Sequence, residues 1–485
     1  MKRFIGLSIL LLASTIAMSC KKKSDYLPQN VPYYHFISVT FPDLNQTATL
    51  TNDTAFLTVP YGTNVSNVKT VMQVVPSITT SVPLQGSYDY SNPFPVVLTG
   101  GGNSKTQYIK VNYSSTVPDI AVLGVWVAIS GGSPTLLSQA SIDAMVNRVD
   151  SAGFNAIFAG VYNQSRTLYP SSIMQANVPS GTQAQVVPGF DGLDYLIRKA
   201  HAKNIKVFAW FEYGFISAYT NAGPILTAHP DWGGVDYWGK TTVRGNFYWL
   251  NAFKPEVQQF MTDLVKDCVS RYDVDGIQLD DHCPAIPLNS GYDVTTAAAY
   301  KTATGNTAPQ DSTNAAWVTW RQDQLTAYLG RFYTAVKSVK PKCIISLAPA
   351  PGFGKGSLAQ NNLQDYAAWV RNNYYDLMSP LQYQSTLSAY QNVLNSDLST
   401  IINNTTNNPT GRLNNRYFPG MDVTPASATV AGSTIVLQSI EYNRSKGIKG
   451  EVIWYYDGIG TNSPSWNAFR TLYPQGVGKT VFPNL

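Results

Sequence analysis

The sequence predicts an α/β protein whose main domain is a (β/α)8 TIM barrel, preceded by a small all-β domain. After Val117 and Pro118, short continuous apolar runs alternate with helical patterns. Apolar strands separated by helices indicate a parallel sheet covered on both faces. Eight such units in about 360 residues fit a closed barrel with insertions. The 485-residue length is itself typical of two domains.

The barrel is expected over residues 117–485. Its clearest predicted helix is Pro255–Tyr272, in which Val257, Phe260 and Leu264 share one face. Long insertions follow the third and fourth strands, and long loops at a barrel mouth usually form the substrate cleft. The eight predicted strands are Leu123–Ile129, Ala156–Tyr162, Lys206–Tyr213, Gly276–Asp280, Ile344–Ala348, Leu377–Gln382, Arg416–Met421 and Gly450–Tyr455.

Residues 31–116 predict an immunoglobulin-like β-sandwich. Short alternating runs, among them His35–Phe41, Ala55–Val59 and Gln107–Val111, are separated by turn-rich pieces such as Gly100–Asn103. The segment contains no cluster of catalytic residue types. We therefore expect a spacer or a weak binding module.

The first nineteen residues predict a bacterial lipoprotein signal peptide. The apolar run Phe4–Ile16 is too short for a comfortable membrane span. Cleavage before Cys20 would leave a lipidated cysteine, followed by a polar tether over residues 20–30. The alternative is an ordinary signal peptide with an incidental cysteine. The predicted location is the cell envelope, anchored at the outer membrane.

Charge and composition narrow the partners. The formal net charge is +5, and Lys2, Arg3 and the lysines Lys21–Lys23 account for all of it, so the remainder is near neutral. No basic patch indicates nucleic acid. A charged fraction of only 13% with 12% aromatic residues favours neutral ligands such as sugars.

Polar and aromatic residues follow the predicted strands. The strongest example is strand four, which runs from Gly276 to Leu279 and then meets Asp280, Asp281 and His282. Burying bare carboxylates is costly unless they are paired, and the carboxyl ends of barrel strands face the active-site mouth. The residues predicted at this mouth are Tyr162, Trp210, Glu212, Asp280, Asp281, His282, Gln382, Tyr383, Trp454 and Asp457.

Carboxylates, amides and aromatic rings in one cleft fit glycoside hydrolysis. One carboxyl group protonates the leaving oxygen, and a second acts as nucleophile or base. We expect Glu212 and one of Asp280 or Asp281 to form this pair, with either order of roles. Side chains of adjacent strand residues point to opposite faces, so only one of the two aspartates is expected to point into the pocket. The other would cap the backbone or orient a neighbouring group. The remaining seven residues would bind the sugar.

Other chemistries are less well supported. Asp280, Asp281 and His282, together with His229, include plausible ligands for a divalent ion, but their spacing matches no strong motif. There is no G-x-S-x-G elbow after a strand and no phosphate-binding glycine loop. We therefore predict no metal and no cofactor. Strand ends can also simply cap helices and meet solvent.

Several motifs, in this order, resemble the family-10-like glycosyl hydrolase lipoproteins of bacteria. The resemblance runs from about Ala121 to Tyr456. The motifs are Gly153-Phe154-Asn155, Leu168-Tyr169-Pro170-Ser171, Ala209-Trp210-Phe211-Glu212-Tyr213-Gly214-Phe215, His229-Pro230-Asp231-Trp232, Trp249-Leu250-Asn251 and Arg271-Tyr272-Asp273-Val274-Asp275-Gly276-Ile277-Gln278-Leu279-Asp280-Asp281-His282.

The resemblance implies a barrel glycoside hydrolase, in some members directed at peptidoglycan glycan strands, and it assigns a site role to Glu212, Asp280 and Asp281. The sequence departs from the family at the end of strand two, where many members have an arginine and this chain has Gly160-Val161-Tyr162-Asn163. The expected partners are a polysaccharide or peptidoglycan glycan and a membrane reached through the lipid anchor. The alternative function is a non-catalytic glycan-binding lipoprotein with a degenerate barrel.

Overall fold

A computed structural model describes most of the chain and divides it into two compact units, up to residue 112 and from residue 113 onward. The predicted signal peptide, the lipidated Cys20 and the tether lie outside the described residues. The described residues are 34–51, 53–59, 65–90, 92–113, 122–129, 133–178, 189–352, 356–423, 432–460 and 463–473.

The first unit is all-β, with two antiparallel sheets around a core that includes Val39, Leu57, Val96 and Ile109. Its immunoglobulin-like topology stays a prediction. One sheet contains Ser38–Phe41, Gln46–Thr47, Val68–Gln73 and Gln85–Tyr88. The other contains Thr49–Leu50, Thr54–Val59, Thr79–Thr80, Phe94–Gly100 and Asn103–Tyr113.

Within the described residues of the second unit, eight strands form one parallel sheet in the order β6-β5-β4-β3-β2-β1-β8-β7. The strands are β1 Val122–Val127, β2 Ala156–Gly160, β3 Lys206–Trp210, β4 Gly276–Leu279, β5 Ile344–Leu347, β6 Leu377–Met378, β7 Gly420–Asp422 and β8 Gly450–Trp454. Each corresponds to a predicted strand, so the α/β class with a parallel sheet is confirmed.

The two edge strands of this sheet meet through isolated parallel bridges, Met378 with Tyr417 and Leu381 with Gly420. Here β6 and β7 are shorter than predicted. The amides of Met378, Phe418 and Gly420 donate across the join. Pro380 has no N–H for the intervening ladder bond, so the pairing breaks into bridges instead of a continuous ladder.

Helices follow most of the strands. Ser138, Asp191 and Asn314 cap three of them by accepting a hydrogen bond from a first-turn amide. None of the helices in the described ranges combines the length and apolar character needed to span a membrane. The helices are Gln139–Ser151, Ser172–Asn177, Gly192–His201, Gly223–Ala228, Pro255–Arg271, Val294–Thr304, Ala315–Val339, Leu358–Asn361, Tyr366–Arg371, Leu387–Asp397, Gly432–Ser445, Tyr456–Ile459 and Pro464–Leu472.

The insertion after β3 adds a small antiparallel sheet of its own, formed by Ile216–Tyr219, Val243–Arg244 and Phe247–Trp249. The predicted insertion after β4 includes the helix Val294–Thr304. Two predicted loop regions therefore contain regular structure that the sequence patterns did not indicate.

Side chains inside the sheet form a row set by strand register. Trp126 pairs with Phe158, Phe158 with Phe208, and Phe208 with Gly276. The Phe158 and Phe208 rings stack with centroids 4.5 Å apart. A Cβ on Gly276 would lie 2.5 Å from Cε1 of Phe208, so the ring requires a glycine here. This row closes the interior below the cleft.

A buried polar network lies behind β6. Asp397, at the end of helix Leu387–Asp397, accepts hydrogen bonds from Tyr366 at 3.0 Å, Gln382 at 2.5 Å and Tyr417. Burial raises the pKa of Asp397 from its ordinary value of 3.8 to about 6, although the hydrogen bonds from Tyr417, Tyr366 and Gln382 oppose the shift. The network therefore binds a proton more tightly in the folded state than in the unfolded state.

This raised pKa predicts a pH-dependent stability. Its contribution is fully present below about pH 4 and is lost as the pH rises through about 6, because the folded state then holds a buried charge. Asp397→Asn stays neutral, so the free energy of unfolding of the wild type should fall relative to the variant by about 2 kcal/mol between pH 4 and pH 7.

The measurement is urea unfolding followed by tryptophan fluorescence. All 10 tryptophans lie at or after Trp126, so the signal reports on the second unit. Parallel pH profiles for the wild type and the variant would contradict the assignment.

Candidate active site

A cleft of about 530 Å³ opens at the carboxyl ends of the parallel strands. It is lined by residues that follow the strands and by the insertion after β3. The lining residues are Trp126, Trp210, Glu212, Arg244, Gly245, Phe247, Trp249, Asp280, Asp281, His282, Ala350, Pro351, Leu358, Asn362, Leu381, Tyr383, Gln384 and Trp454.

Strand alternation explains why two carboxyl groups face this cleft. Trp210 on β3 pairs with Gln278 on β4. Because side chains of the same face recur every second residue, the next positions on that face are Glu212 and Asp280. Both are buried, with exposed fractions of 9% and 5%. The register of β3 and β4 thus brings the predicted acids to one place.

Asp280 is held by two donors. The indole Nε1 of Trp210 donates to its Oδ2 at 2.9 Å, and the backbone N–H of His282 donates to its Oδ1 at 3.1 Å. The backbone carbonyl of Asp280 accepts a hydrogen bond from Gln364 at 3.3 Å. The carboxyl group is therefore fixed in one orientation before any substrate binds.

Burial raises the pKa of Asp280 well above its ordinary value of 3.8. The positive charge of His282 opposes this shift, while the negative charges of Asp281 and Glu212 add to it. A carboxyl group with a raised pKa remains protonated at higher pH, which is the property a general acid needs.

His282 links the carboxylates. Its Nδ1 lies 3.0 Å from the backbone oxygen of Glu212, which can only accept, so Nδ1 carries a proton. Its Nε2 lies 3.4 Å from Oδ1 of Asp281. Burial lowers the pKa of His282, but Asp281 and Asp280 outweigh burial and the net shift is upward. A protonated His282 would donate from both nitrogens.

Glu212 is oriented from strand two. Nδ2 of Asn163 donates to Oε2 of Glu212 at 2.8 Å, and Asn163 itself is fully buried. Asn163 belongs to a hairpin in which Tyr162–Asn163 pairs with Arg166–Thr167. A residue of the segment that departs from the family pattern therefore holds the second carboxyl group.

Four aromatic side chains pack together at the base of the cleft. The Trp210 and Trp454 rings meet edge to face with centroids 5.8 Å apart, and Tyr383 lies 6.0 Å from Trp454. Trp126 contacts both tryptophans, and its Nε1 donates to Gln278 at 2.6 Å. Flat apolar faces of this kind can pack against sugar rings.

Asp280, Asp281 and His282 have one potential ligand atom each, and these atoms lie within 4.8 Å of one another. The set could hold a divalent cation by distance alone. Both oxygens of Asp280 already accept hydrogen bonds from Trp210 and His282. Each of these oxygens keeps a second lone pair, so the hydrogen bonds are compatible with a bound cation as well as with carboxyl chemistry.

The structure brings seven of the predicted residues to the cleft: Trp210, Glu212, Asp280, Asp281, His282, Tyr383 and Trp454. Three predicted residues lie elsewhere. The chain leaves β2 at Gly160, and Tyr162 is then fully buried next to Phe211. Gln382 is bonded to Asp397. Asp457 accepts from Ser133 and Thr135. Gln382 and Asp457 are thus hydrogen-bonded to other parts of the fold, and Tyr162 is buried within it.

Sequence reasoning missed several lining residues. Trp126 sits inside an unbroken apolar strand, which gives no polar signal. Arg244 and Phe247 come from the inserted sheet, and Asn362 follows a short helix after β5. Trp249 lies in one of the motifs that resemble the family, but the sequence analysis assigned it no role in the cleft. Pairing between distant segments, which no local pattern encodes, brings these residues to the cleft.

An eight-stranded parallel sheet with buried carboxyl groups and aromatic rings at its carboxyl edge defines the class of barrel proteins related to glycosidases. The chain belongs to the Glycosyl hydrolase-like 10 family, whose model matches residues 121–414. The family resemblance expected from the sequence is thus confirmed.

Curated relatives include the glycosyl hydrolase DigH of Escherichia coli K12, 26% identical over 297 residues, which cover 54% of this chain and 65% of the relative. Another is the glycosyl hydrolase YngK of Bacillus subtilis strain 168, 22% identical over 261 residues, which cover 50% of this chain and 48% of the relative. The chain thus spans less than two thirds of the length of either relative.

Among solved structures, the PgaB (BpsB) glycoside hydrolase domain from Bordetella bronchiseptica superposes with a TM-score of 0.54. The match covers 73% of this chain and 98% of that domain, at 11% sequence identity. At this identity the likeness demonstrates the fold alone.

The charge on His282 provides a test of the site electrostatics. His282→Gln removes the positive charge that lowers the pKa of Asp280, so that pKa should rise further. The titration can be followed by the carboxyl ¹³C shift of Asp280 in protein labelled at aspartate, with Asp280→Asn assigning the resonance.

His201→Gln is the matched control, because His201 pairs with Asp275 at 2.8 Å and does not line the cleft. A midpoint for Asp280 that is unchanged or lowered in His282→Gln would show that His282 is not its counter-charge.

Proposed function

We propose that this protein is an exported, lipid-anchored glycoside hydrolase that cleaves glycosidic bonds of a polysaccharide or peptidoglycan glycan strand. The observation that carries the proposal is the raised pKa of Asp280 within a cleft that also contains Glu212 and Asp281. A buried acid beside other carboxyl groups is the arrangement that sugar hydrolysis uses.

In this mechanism Asp280 is the general acid. Its proton passes to the glycosidic oxygen as the bond to the leaving sugar breaks and positive charge develops on the ring. The hydrogen bonds from Trp210 and the His282 amide fix the carboxyl group during this transfer. Its conjugate base is then stabilised by the protonated His282.

Glu212 acts as the nucleophile or base in the same mechanism. Its hydrogen bond from Asn163 sets the direction of the carboxyl group. Asp281 keeps His282 protonated through the 3.4 Å contact with Nε2 and so acts on the acid indirectly. Trp210, Tyr383 and Trp454 would pack against sugar rings.

The cell-envelope part of this proposal rests on the N-terminal sequence, in which a short apolar run precedes Cys20. Under this proposal Cys20 carries the lipid, residues 20–30 are a tether, and the immunoglobulin-like domain is a spacer between the membrane and the barrel. No metal or cofactor is part of the proposed reaction.

The test compares wild type, Asp280→Asn and Glu212→Gln on peptidoglycan sacculi and a panel of α- and β-glucans. New reducing ends should appear with the wild type and fall by about 10²–10⁴-fold in each variant, the usual contribution of an acid–base group. A chelator should leave the rate unchanged.

Asp457→Asn is the control, because this carboxylate also follows a strand but hydrogen-bonds Ser133 and Thr135 outside the cleft. Glycan that binds without yielding reducing ends from any substrate would favour the non-catalytic glycan-binding lipoprotein. Loss of activity in chelator would replace the proposal with metal-dependent hydrolysis.

A further inference from the structure

Arg244 extends into the cleft from the inserted sheet, in the strand Val243–Arg244 that pairs with Phe247–Trp249. One end of its guanidinium is fixed. Nη1 donates to the backbone oxygen of Asn361 at 2.6 Å and to Oδ1 of Asn362 at 2.9 Å. Asn362 in turn donates to the backbone oxygen of Asp281 at 3.1 Å. The guanidinium is therefore held rigidly beside the predicted acids.

The charge of Arg244 is only partly compensated. Burial lowers the pKa of Arg244, and Asp281 opposes this shift from a distance. In the part of the chain that the structure describes, Arg244 forms no ion pair, whereas the neighbouring Lys254 pairs with Asp231 at 2.7 Å. A half-buried cation that is only partly compensated is costly, and a perturbed charged residue in a cleft is a candidate ligand-binding residue.

The geometry of the unused donors is specific. Both hydrogen bonds of the Arg244 side chain within the described residues use Nη1. The Nε–H and the adjacent N–H of Nη2 point in the same direction, and this pair of parallel donors matches the two oxygens of a carboxylate. A planar carboxylate could therefore bind in the cleft with two parallel hydrogen bonds.

We propose that Arg244 is a specificity-determining residue that binds a carboxylate group carried by the glycan substrate, next to the bond that is cleaved. This inference rests on the proposed function and deepens it. The groups facing the same cleft are Glu212, Asp280, Asp281 and His282. With Asp280 protonated, the positive charges of Arg244 and His282 balance the negative charges of Asp281 and Glu212, so a substrate anion at Arg244 enters a cleft without net negative charge.

The probes are matched pairs of glycans with free and methyl-esterified carboxylates. One pair consists of uronic acid oligomers, and the other of peptide-free amino-sugar strands that carry a lactyl ether carboxylate. Binding is followed by tryptophan fluorescence in the Asp280→Asn background to prevent turnover, and kcat/KM is measured with Asp280 intact.

The protein with Arg244 should prefer the free acid of one pair over its ester by about tenfold or more, and which pair shows this preference identifies the source of the carboxylate. Arg244→Gln should reduce the ratio to about one without weakening binding of the ester. Arg244→Lys, which keeps the charge but not the parallel donors, should give an intermediate ratio.

The control variant is Lys240→Gln, which removes an exposed cation from the same insertion and should leave the ratio unchanged.

Two results would overturn the inference while leaving the hydrolase intact: cleavage without preference for the free acid, or a preference that survives in Arg244→Gln. If the protein neither binds nor cleaves any glycan, neutral ones included, then the proposed function itself fails and the inference fails with it.

Discussion

The hydrogen bond from the Trp210 indole to Asp280 joins the interior of the barrel to its cleft. Trp210 is 2% exposed and packs against Trp126 and Trp454, so its position is set by the core. Asp280 is in turn placed by the register of β4 on β3. A shift of β4 by one residue against β3 would turn Asp280 away from the cleft while Glu212 stayed in it.

The electrostatics of the cleft follow from this placement. Asp280 is buried beside Asp281 and Glu212, and like charges at close range favour keeping a proton. His282 offsets part of the negative charge and is itself kept charged by the same acids. Substitution of His282, Asp281 or Glu212 would therefore change the proton affinity of Asp280.

The insertion after β3 contributes one side of the cleft lining. The strands supply the carboxyl groups and the aromatic base, whereas Arg244, Phe247 and Trp249 come from the inserted sheet. The Phe247 and Trp249 rings lie 5.7 Å and 5.6 Å from the ring of His282. The parallel sheet thus positions the carboxyl groups, and the insertion shapes what can reach them.

The residues that sequence placed correctly in the cleft share a local signal. Asp280, Asp281 and His282 interrupt an apolar strand at its carboxyl end, and Glu212 does the same one strand earlier. Gln382 also follows an apolar strand, yet its side chain donates a hydrogen bond to Asp397 at the end of the helix Leu387–Asp397. Since many strand ends are polar, the signal alone does not separate cleft residues from structural ones.

Hydrophobic periodicity and ordered motifs are local properties of the chain, so the α/β class, the eight strands and the family could be predicted from the sequence. Which strand-end side chains meet depends on the packing of the whole second unit. The raised pKa of Asp280, the Asn163 contact with Glu212 and the position of Arg244 each depend on residues distant in sequence. Burial and charge pairing are properties of the packed molecule, and no local pattern records them.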